Sequence, residues 1–158
     1  MKNVGSLILL LVILSSCSTK PEKADLVPLD LLEYGVPVTI MAPDSADVKK
    51  SSVGLYQDVT VKKGDYALQI LMTDALTTNM SAIKSDALKS AREEIFFSRL
   101  VKEEDNGFIF ENKVDSMVNY DFRYLMVRGD KQYQFQADMM SQLSLEEAEH
   151  IYDSVKQN

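Results

Sequence analysis

The sequence predicts an α+β domain in which an antiparallel β-sheet packs with one long central helix and one C-terminal helix. Three patterns support this fold class. Apolar and polar residues alternate with a period of two in several short segments, whereas one central segment and one late segment repeat at helical spacing. Strands, a helix, more strands and a final helix form an order typical of an antiparallel α+β sandwich.

The elements before the central helix are short and are separated by turn residues. Gly64 can adopt a positive φ in the turn of a predicted hairpin. In chain order, the sequence predicts a lead-in over residues 27–35, a strand over 38–42, a loop over 45–52, and hairpin arms over 53–61 and 66–72. In the lead-in, Leu29, Leu31 and Leu32 could dock on the core.

The central helix is predicted over residues 79–102. Asn79 or Thr78 could cap its start, and Asn106-Gly107 is a suitable terminator. The apolar stripe of this helix consists of Met80, Ile83, Ala87, Leu88, Ala91, Ile95 and Leu100.

Three more strands are predicted after the helix, over residues 108–112, 116–127 and 131–140. In the last strand the expected inward residues are Tyr133, Phe135, Ala137 and Met139. The terminal helix begins with a capping box formed by Ser144 and Glu147, and its apolar face consists of Leu145, Ala148, Ile151, Tyr152 and Val155.

This order of elements over residues 36–157 resembles the PsbP-like fold, a family named for an extrinsic subunit of photosystem II. The resemblance lies in element order and in no sequence motif, so it implies a sandwich fold and no functional residues. Some PsbP-like proteins are non-catalytic adaptors of larger complexes, which makes an adaptor role one expectation.

The first residues are typical of a secretory signal. Lys2 precedes an apolar run over residues 7–14, and small residues follow it. Such a run extends about 12 Å as a helix, whereas a membrane hydrocarbon core is about 30 Å thick. The segment is therefore too short to be a stable membrane span.

The sequence Leu14-Ser15-Ser16-Cys17 resembles the lipobox of bacterial lipoproteins. The resemblance implies cleavage between Ser16 and Cys17 and permanent anchoring by three acyl chains on Cys17. The alternative is an ordinary signal peptide that contains a cysteine. The expected organisation is a signal peptide over residues 1–16, a lipidated tether over 17–35 and one domain over 36–158.

The position after the cysteine bears on which membrane holds the protein. Ser18 stands there, instead of the aspartate associated with retention in the inner membrane of enteric bacteria. The expected location is therefore the outer membrane, with the domain facing the periplasm.

The composition excludes some classes of partner and cofactor. The chain has 24 acidic and 17 basic residues, a net charge of −7, and no basic stripe, so nucleic acid is not an expected partner. His150 is the only histidine and Cys17 the only cysteine, which argues against a zinc site. No metal ligand, cofactor site or catalytic residue is assigned, although paired carboxylates remain open as a catalytic possibility.

The outer face of the strand over residues 116–127 is the candidate ligand or partner surface, because it mixes apolar, charged and amide groups. The alternative is a sheet face covered by the long helix. The residues of this surface are Met117, Asn119, Asp121, Arg123 and Leu125.

The expected function is a lipid-anchored cell-envelope protein that is non-catalytic and binds another envelope protein or supports an envelope assembly. The alternative is a small-ligand-binding protein or minor enzyme with a cleft between the sheet and the long helix.

Overall fold

In the part of the chain that the structure describes, seven strands form one antiparallel sheet, and two more form a separate pair. The computed structural model describes residues 25–53 and 56–157. Its strands are β1 (Leu26–Asp30), β2 (Thr39–Pro43), β3 (Asp47–Val53), β4 (Tyr56–Lys63), β5 (Tyr66–Asp74), β6 (Phe97–Glu104), β7 (Gly107–Val114), β8 (Met117–Arg128) and β9 (Lys131–Ala137). Its helices are α1 (Met80–Arg92), α2 (Leu145–Val155) and a 3₁₀ turn at Leu32–Tyr34.

The main sheet has the strand order β3-β4-β5-β9-β8-β7-β6 and is antiparallel throughout. After β5 the chain crosses along α1 to the far edge and returns strand by strand, so that β9 pairs with β5. Phe135 of β9 lies opposite both Ile70 of β5 and Tyr124 of β8. The predicted α+β class with an antiparallel sheet is confirmed.

The two faces of the main sheet are covered differently. The β1–β2 pair and α2 cover one face and enclose the larger apolar core, which includes Ile40, Ile70, Phe135 and Ile151. On the other face, α1 packs over β6–β8 around a smaller core of Leu88, Ala91, Phe108 and Phe110. The helices therefore lie on opposite faces, and α1 covers only half of its face.

The predicted central helix is wrong in its second half. The helix ends at Arg92, and β6 occupies most of the remaining residues. The stripe keeps spacings of three and four residues as far as Ile95, but Ile95 is 87% exposed, so the packed part of the stripe ends at Ala91. Asn79 does cap the start, since its side chain accepts a hydrogen bond from the backbone N of Ala82 at 3.2 Å. Asn106 lies in the β6–β7 turn and Gly107 is the first residue of β7, so neither ends a helix.

Three smaller expectations also need correction. Most of the predicted loop over residues 45–52 is the edge strand β3, whose solvent-facing position explains its polar sequence. Leu31, one of the lead-in leucines expected to dock on the core, is fully buried, but β1 also pairs with β2, so the packed fold begins before residue 36. Met139 points outward and is 80% exposed because β9 ends at Ala137.

The hairpin and the terminal helix match the prediction more closely. Gly64 has φ 57° in the β4–β5 turn. The Ser144–Glu147 capping box at the start of α2 is present in both directions. In the described part of the chain, no helix is long and apolar enough to cross a membrane.

We call the two ends of the main sheet proximal and distal. The proximal end is where β5, β6 and β8 begin and β9 ends, and the distal end is opposite. The chain enters at the proximal end, because Leu26 lies opposite Pro43 and the neighbouring Met41 carbonyl accepts a 3.1 Å hydrogen bond from the hydroxyl of Tyr66, the first residue of β5.

Candidate functional site

The five residues of the predicted surface lie along β8 but do not share one environment. Leu125 is fully buried and Arg123 is 8% exposed, whereas Met117 is 63% exposed. Asn119 accepts a 2.6 Å hydrogen bond from the backbone N of Leu143 and so holds the loop after β9. The middle of β8 is thus covered on the side of α1, and only its beginning is open.

Arg123 binds protein groups with both terminal nitrogens. Its Nη1 donates to Asp121 Oδ2 at 2.6 Å and to the Phe122 carbonyl at 2.8 Å, and its Nη2 donates to Glu94 Oε1 at 2.9 Å. The guanidinium also lies 5.0 Å from the ring centroid of Phe110. Arg123 therefore joins the segment after α1 to the sheet.

The two carboxylates that Arg123 binds, Glu94 and Asp121, differ in their surroundings. Partial burial raises the pKa of Glu94, and the opposing charge of Arg123 limits that rise. Asp121 Oδ1 accepts from the backbone N of Phe122 at 2.7 Å and of Ala137 at 3.0 Å. The guanidinium of this candidate surface is thus already bound to two carboxylates of the chain itself, Asp121 and Glu94.

A second buried charge, Glu111, is on the opposite face and was not singled out from the sequence. It is 7% exposed and binds Arg99 Nη2 at 2.7 Å, Ser98 Oγ at 3.0 Å and the Tyr120 hydroxyl at 3.2 Å. These bonds, led by the one from Arg99, lower the pKa of Glu111. The cluster fastens β6, β7 and β8 together. This burial could have been predicted from the period-two alternation of β7, because Glu111 lies on the same face of the strand as Ile109.

Glu104 is the centre of a charged cluster at the distal end. Its carboxylate accepts from Lys156 Nζ at 2.8 Å, from Lys102 Nζ at 3.0 Å and from the Tyr152 hydroxyl at 3.1 Å. The hydrogen bond from Lys156 is the largest cause that lowers the pKa of Glu104 to about 2. Burial raises the pKa of Tyr152, so this phenol remains protonated.

A hollow of about 450 Å³ lies beside this cluster. It is lined by Glu104, Asp105, Asn106, Tyr124, Lys156 and Gln157. Tyr124 belongs to the α2 face of the sheet, whereas Arg123 belongs to the α1 face. The hollow is therefore not the predicted cleft between the sheet and the central helix. The Glu104 carboxylate is already paired with Lys156, and Asp105 adds a second carboxylate to the lining, so the described lining of the hollow offers no cationic group free to bind an anionic ligand.

The outer side of β4, β5 and β9 is polar and half-buried, and its side chains are bonded to one another. Gln134 Nε2 donates to Gln136 Oε1 at 2.8 Å, Gln136 Nε2 to Gln69 Oε1 at 3.1 Å, and Gln69 Nε2 to Asp58 Oδ2 at 3.2 Å. We call this surface the amide face and define it as Asp58, Thr60, Gln69, Leu71, Gln134 and Gln136. Gln134 is partly exposed on this side, whereas Gln136 is buried at 8% exposure beneath its hydrogen-bonded neighbours.

Exposed apolar residues concentrate at the proximal end. We call this group the apolar patch, and its members are Ile95 (87% exposed), Phe96 (49%), Met117 (63%), Val118 (46%), Met139 (80%) and Met140 (88%). Of these, only Met117 had been assigned to a candidate surface. The signals available in the sequence were the consecutive pairs Ile95-Phe96, Met117-Val118 and Met139-Met140.

Metal-ligating groups do not gather in the described part of the chain. Across residues 25–53 and 56–157, no three His, Cys, Asp or Glu side chains are placed to hold a metal ion. His150 and Glu146 both lie on α2. Ser16 and Cys17, the predicted cleavage and lipidation residues, lie outside the described residues.

Comparison with known proteins returned no relative. No family model matches the chain, and no curated protein or solved structure is significantly similar to it.

Proposed function

We propose that this chain is a lipid-anchored cell-envelope protein that acts as a non-catalytic protein-interaction or envelope-assembly module. The observation that carries the proposal is the sequence Leu14-Ser15-Ser16-Cys17, directly after an apolar run too short to span a bilayer. Lipid on Cys17 would hold the domain at the outer membrane, facing the periplasm. Three acyl chains anchor a protein stably, since each buried methylene contributes about 0.8 kcal/mol.

The fold supports an adaptor role by analogy. A sheet with one helix on each face is compatible with the PsbP-like sandwich, and we propose that the domain belongs to this fold type. Because some PsbP-like proteins are adaptors, this fold type favours a protein contact over catalysis. The partly exposed side of the sheet is our candidate for that contact.

We assign the protein contact to the amide face. Its side chains are ordered by mutual hydrogen bonds, so a partner would lose less conformational entropy in binding them than in binding free side chains. Two neighbouring residues, Thr60 and Leu71, add a hydroxyl and an apolar group to the amides. Such a mixture is typical of transient protein interfaces, which are about as polar as the rest of a protein surface.

The anchor is tested by growing cells with an alkyne analogue of palmitate. The wild-type protein should become labelled and remain with membranes after high-salt washing. Ser16→Ala keeps a small residue before the cysteine and should behave as wild type, whereas Cys17→Ala should lose the label. An unlabelled wild-type protein, together with a Cys17→Ala chain that matures normally into a soluble form, would refute the anchor.

The interaction surface is tested by placing a photo-crosslinking amino acid at Gln134 in the full-length protein in cells. The matched control position is Ser85, which is exposed on α1. We expect Gln134 to crosslink to one defined envelope protein and Ser85 not to, and Gln69→Arg to abolish the crosslink. Equal patterns at the two positions would remove the amide face from the proposal.

A further inference from the structure

We infer that the proximal end of the domain rests on the lipid surface, with the apolar patch inserted among the lipid headgroups. This inference depends on the proposed lipid anchor at Cys17 and adds to it an orientation of the domain on the membrane. It rests on the exposure of the patch, on its position and on the place where the chain enters the fold.

The patch is unusual in its exposure. Ile95, Met139 and Met140 are each at least 80% exposed, although side chains of this kind are normally buried. Scattered apolar residues on a surface need no explanation, but a contiguous group marks a contact with a protein or a membrane.

Strand pairing brings the first two pairs of the patch together. The Phe96 carbonyl accepts a 2.8 Å hydrogen bond from the backbone N of Lys113, and Lys113 lies opposite Val118 on the next strand. Met117 follows one step further along the same ladder, opposite Val114. Ile95-Phe96 and Met117-Val118 therefore belong to one margin of the sheet.

The loop after β9 brings the third pair to the same margin. The backbone N of Asp138 donates to the Ala67 carbonyl at 3.0 Å, near the start of β5, and the Leu143 carbonyl accepts from the backbone N of Tyr120 at 3.0 Å. The segment that carries Met139 and Met140 thus runs across the proximal end from β5 to β8. All three pairs occupy one end of the molecule.

The tether reaches the fold at this end. Leu26 lies opposite Pro43, beside the β4–β5 turn, where the Lys63 ammonium donates to the Asp44 carbonyl. Residues 18–25 can span about 26–29 Å when extended, at roughly 3.3–3.6 Å per residue. Four strand spacings separate β4 from β7, which is about 19 Å at roughly 4.8 Å each. An anchor at Cys17 therefore keeps the whole proximal end within reach of the membrane.

Charge at the proximal end favours apolar insertion over electrostatic attraction. Lys63 and Lys113 are exposed there, but so are Asp65 and Asp115. Because both signs are present, attraction to anionic lipid should contribute little. Apolar side chains that enter the headgroup region to about 5–10 Å should supply the contact.

Tryptophan fluorescence tests this orientation, because the chain contains no tryptophan. The acylated protein is reconstituted into vesicles of phosphatidylcholine, with and without phosphatidylglycerol, and with brominated acyl chains as quencher. Met140→Trp reports on the patch, and Met117→Trp is a second reporter in case the first variant misfolds. Leu76→Trp is the matched control, since Leu76 is 98% exposed just after β5 ends, at the distal end.

We expect blue-shifted emission from Met140→Trp and Met117→Trp, with quenching by brominated lipid several-fold stronger than for Leu76→Trp. Phosphatidylglycerol should change the quenching little. Equal quenching of patch and control reporters would overturn the inference. A blue shift without quenching would also overturn it, since it would indicate a protein partner or a second copy on the patch.

Mass spectrometry of the same samples separates the two proposals. If Cys17 carries lipid but the patch reporters are not quenched, only the orientation fails. If Cys17 carries no lipid in protein purified from membranes, the anchor itself fails, whatever the reporters show.

Discussion

Single charged side chains join the elements of this domain, and their environments make its stability depend on pH. Glu104 connects the end of β6 to α2 through Lys156 and the buried Tyr152. Its pKa of about 2 in the folded state lies below the ordinary value of 4.5. A lowered carboxyl pKa stabilises the fold above the unfolded-state value, and the stabilisation decreases as pH falls toward the folded-state value.

Glu104→Gln should therefore lower the melting temperature at pH 7, because the ion pairs with Lys102 and Lys156 are lost. The difference from wild type should shrink between pH 4.5 and pH 2, the range bounded by the two pKa values of Glu104. Asp86→Asn, a change at an exposed carboxylate on α1, is the matched control and should show neither effect. Thermal unfolding followed by circular dichroism across this pH range measures both variants. A constant difference at every pH would mean that the charge of Glu104 is not what stabilises the fold.

Gly107, near Glu104, lies where β7 closely approaches β8 and α2. A Cβ at this position would lie 2.3 Å from the Arg123 carbonyl and 2.8 Å from the Tyr152 hydroxyl. Because the first contact is backbone, Gly107→Ala must displace β7 or β8, and we expect a loss of about 1–3 kcal/mol of stability. Urea unfolding measures this loss in the free energy of unfolding. An unchanged unfolding midpoint would show that the two strands separate at no cost.

Among the elements, α2 depends most on local sequence. Ser144 accepts a hydrogen bond from the backbone N of Glu147 at 3.3 Å, and the Glu147 carboxylate accepts from the backbone N of Ser144 at 2.7 Å. Ser144→Ala should cost about 1 kcal/mol in urea unfolding, since it removes one half of the capping box. Ser85→Ala in the exposed middle of α1 is the control and should be neutral or slightly stabilising. Equal effects of the two substitutions would contradict a capping role.

The same local signals explain which elements could be predicted from the sequence. The capping box and the helical spacing of α2 lie within one stretch of chain, and the prediction there was confirmed. In contrast, β6 forms because it pairs with β7, with two register shifts along the pair, and such pairing leaves a weak local pattern. Its Phe97 and Leu100 pack under α1, so their spacing could be taken for a continuation of the helical stripe.

At the scale of the whole molecule, strand order decides which candidate residues are accessible. Period-two alternation predicted that Arg123 and Leu125 share a face, but it left open whether that face is a partner surface or is covered by the long helix. The structure shows that α1 covers it. The crossover from β5 to β6 contains α1 and determines which strands this helix covers. Such a long-range connection is not encoded in short sequence patterns. The apolar patch was missed for the same reason, since its three pairs are far apart in sequence and meet only when β9 returns beside β5.

The two cores on opposite faces of the sheet differ in size, which predicts two levels of stability. The core beneath α2 contains many fully buried side chains, whereas the core beneath α1 is built around Leu88, Ala91, Phe108 and Phe110. An element held by few apolar contacts opens at lower free energy than the molecule as a whole. We therefore expect α1 amides to exchange through a local opening and α2 amides only through global unfolding.

Native-state hydrogen exchange with increasing denaturant measures both openings, and Leu88→Ala separates them. Leu88 is 9% exposed, so its truncation should lower the opening free energy of α1 by about 2 kcal/mol, near the lower limit for a buried leucine. Protection in α2 should change less, because local opening of α1 leaves the larger core intact.

Ile151→Ala in α2, where the side chain is 1% exposed, is the converse variant and should lower protection in both helices. If α1 and α2 amides exchange with one common free energy in the wild type, the two cores unfold together and the predicted two levels of stability are wrong.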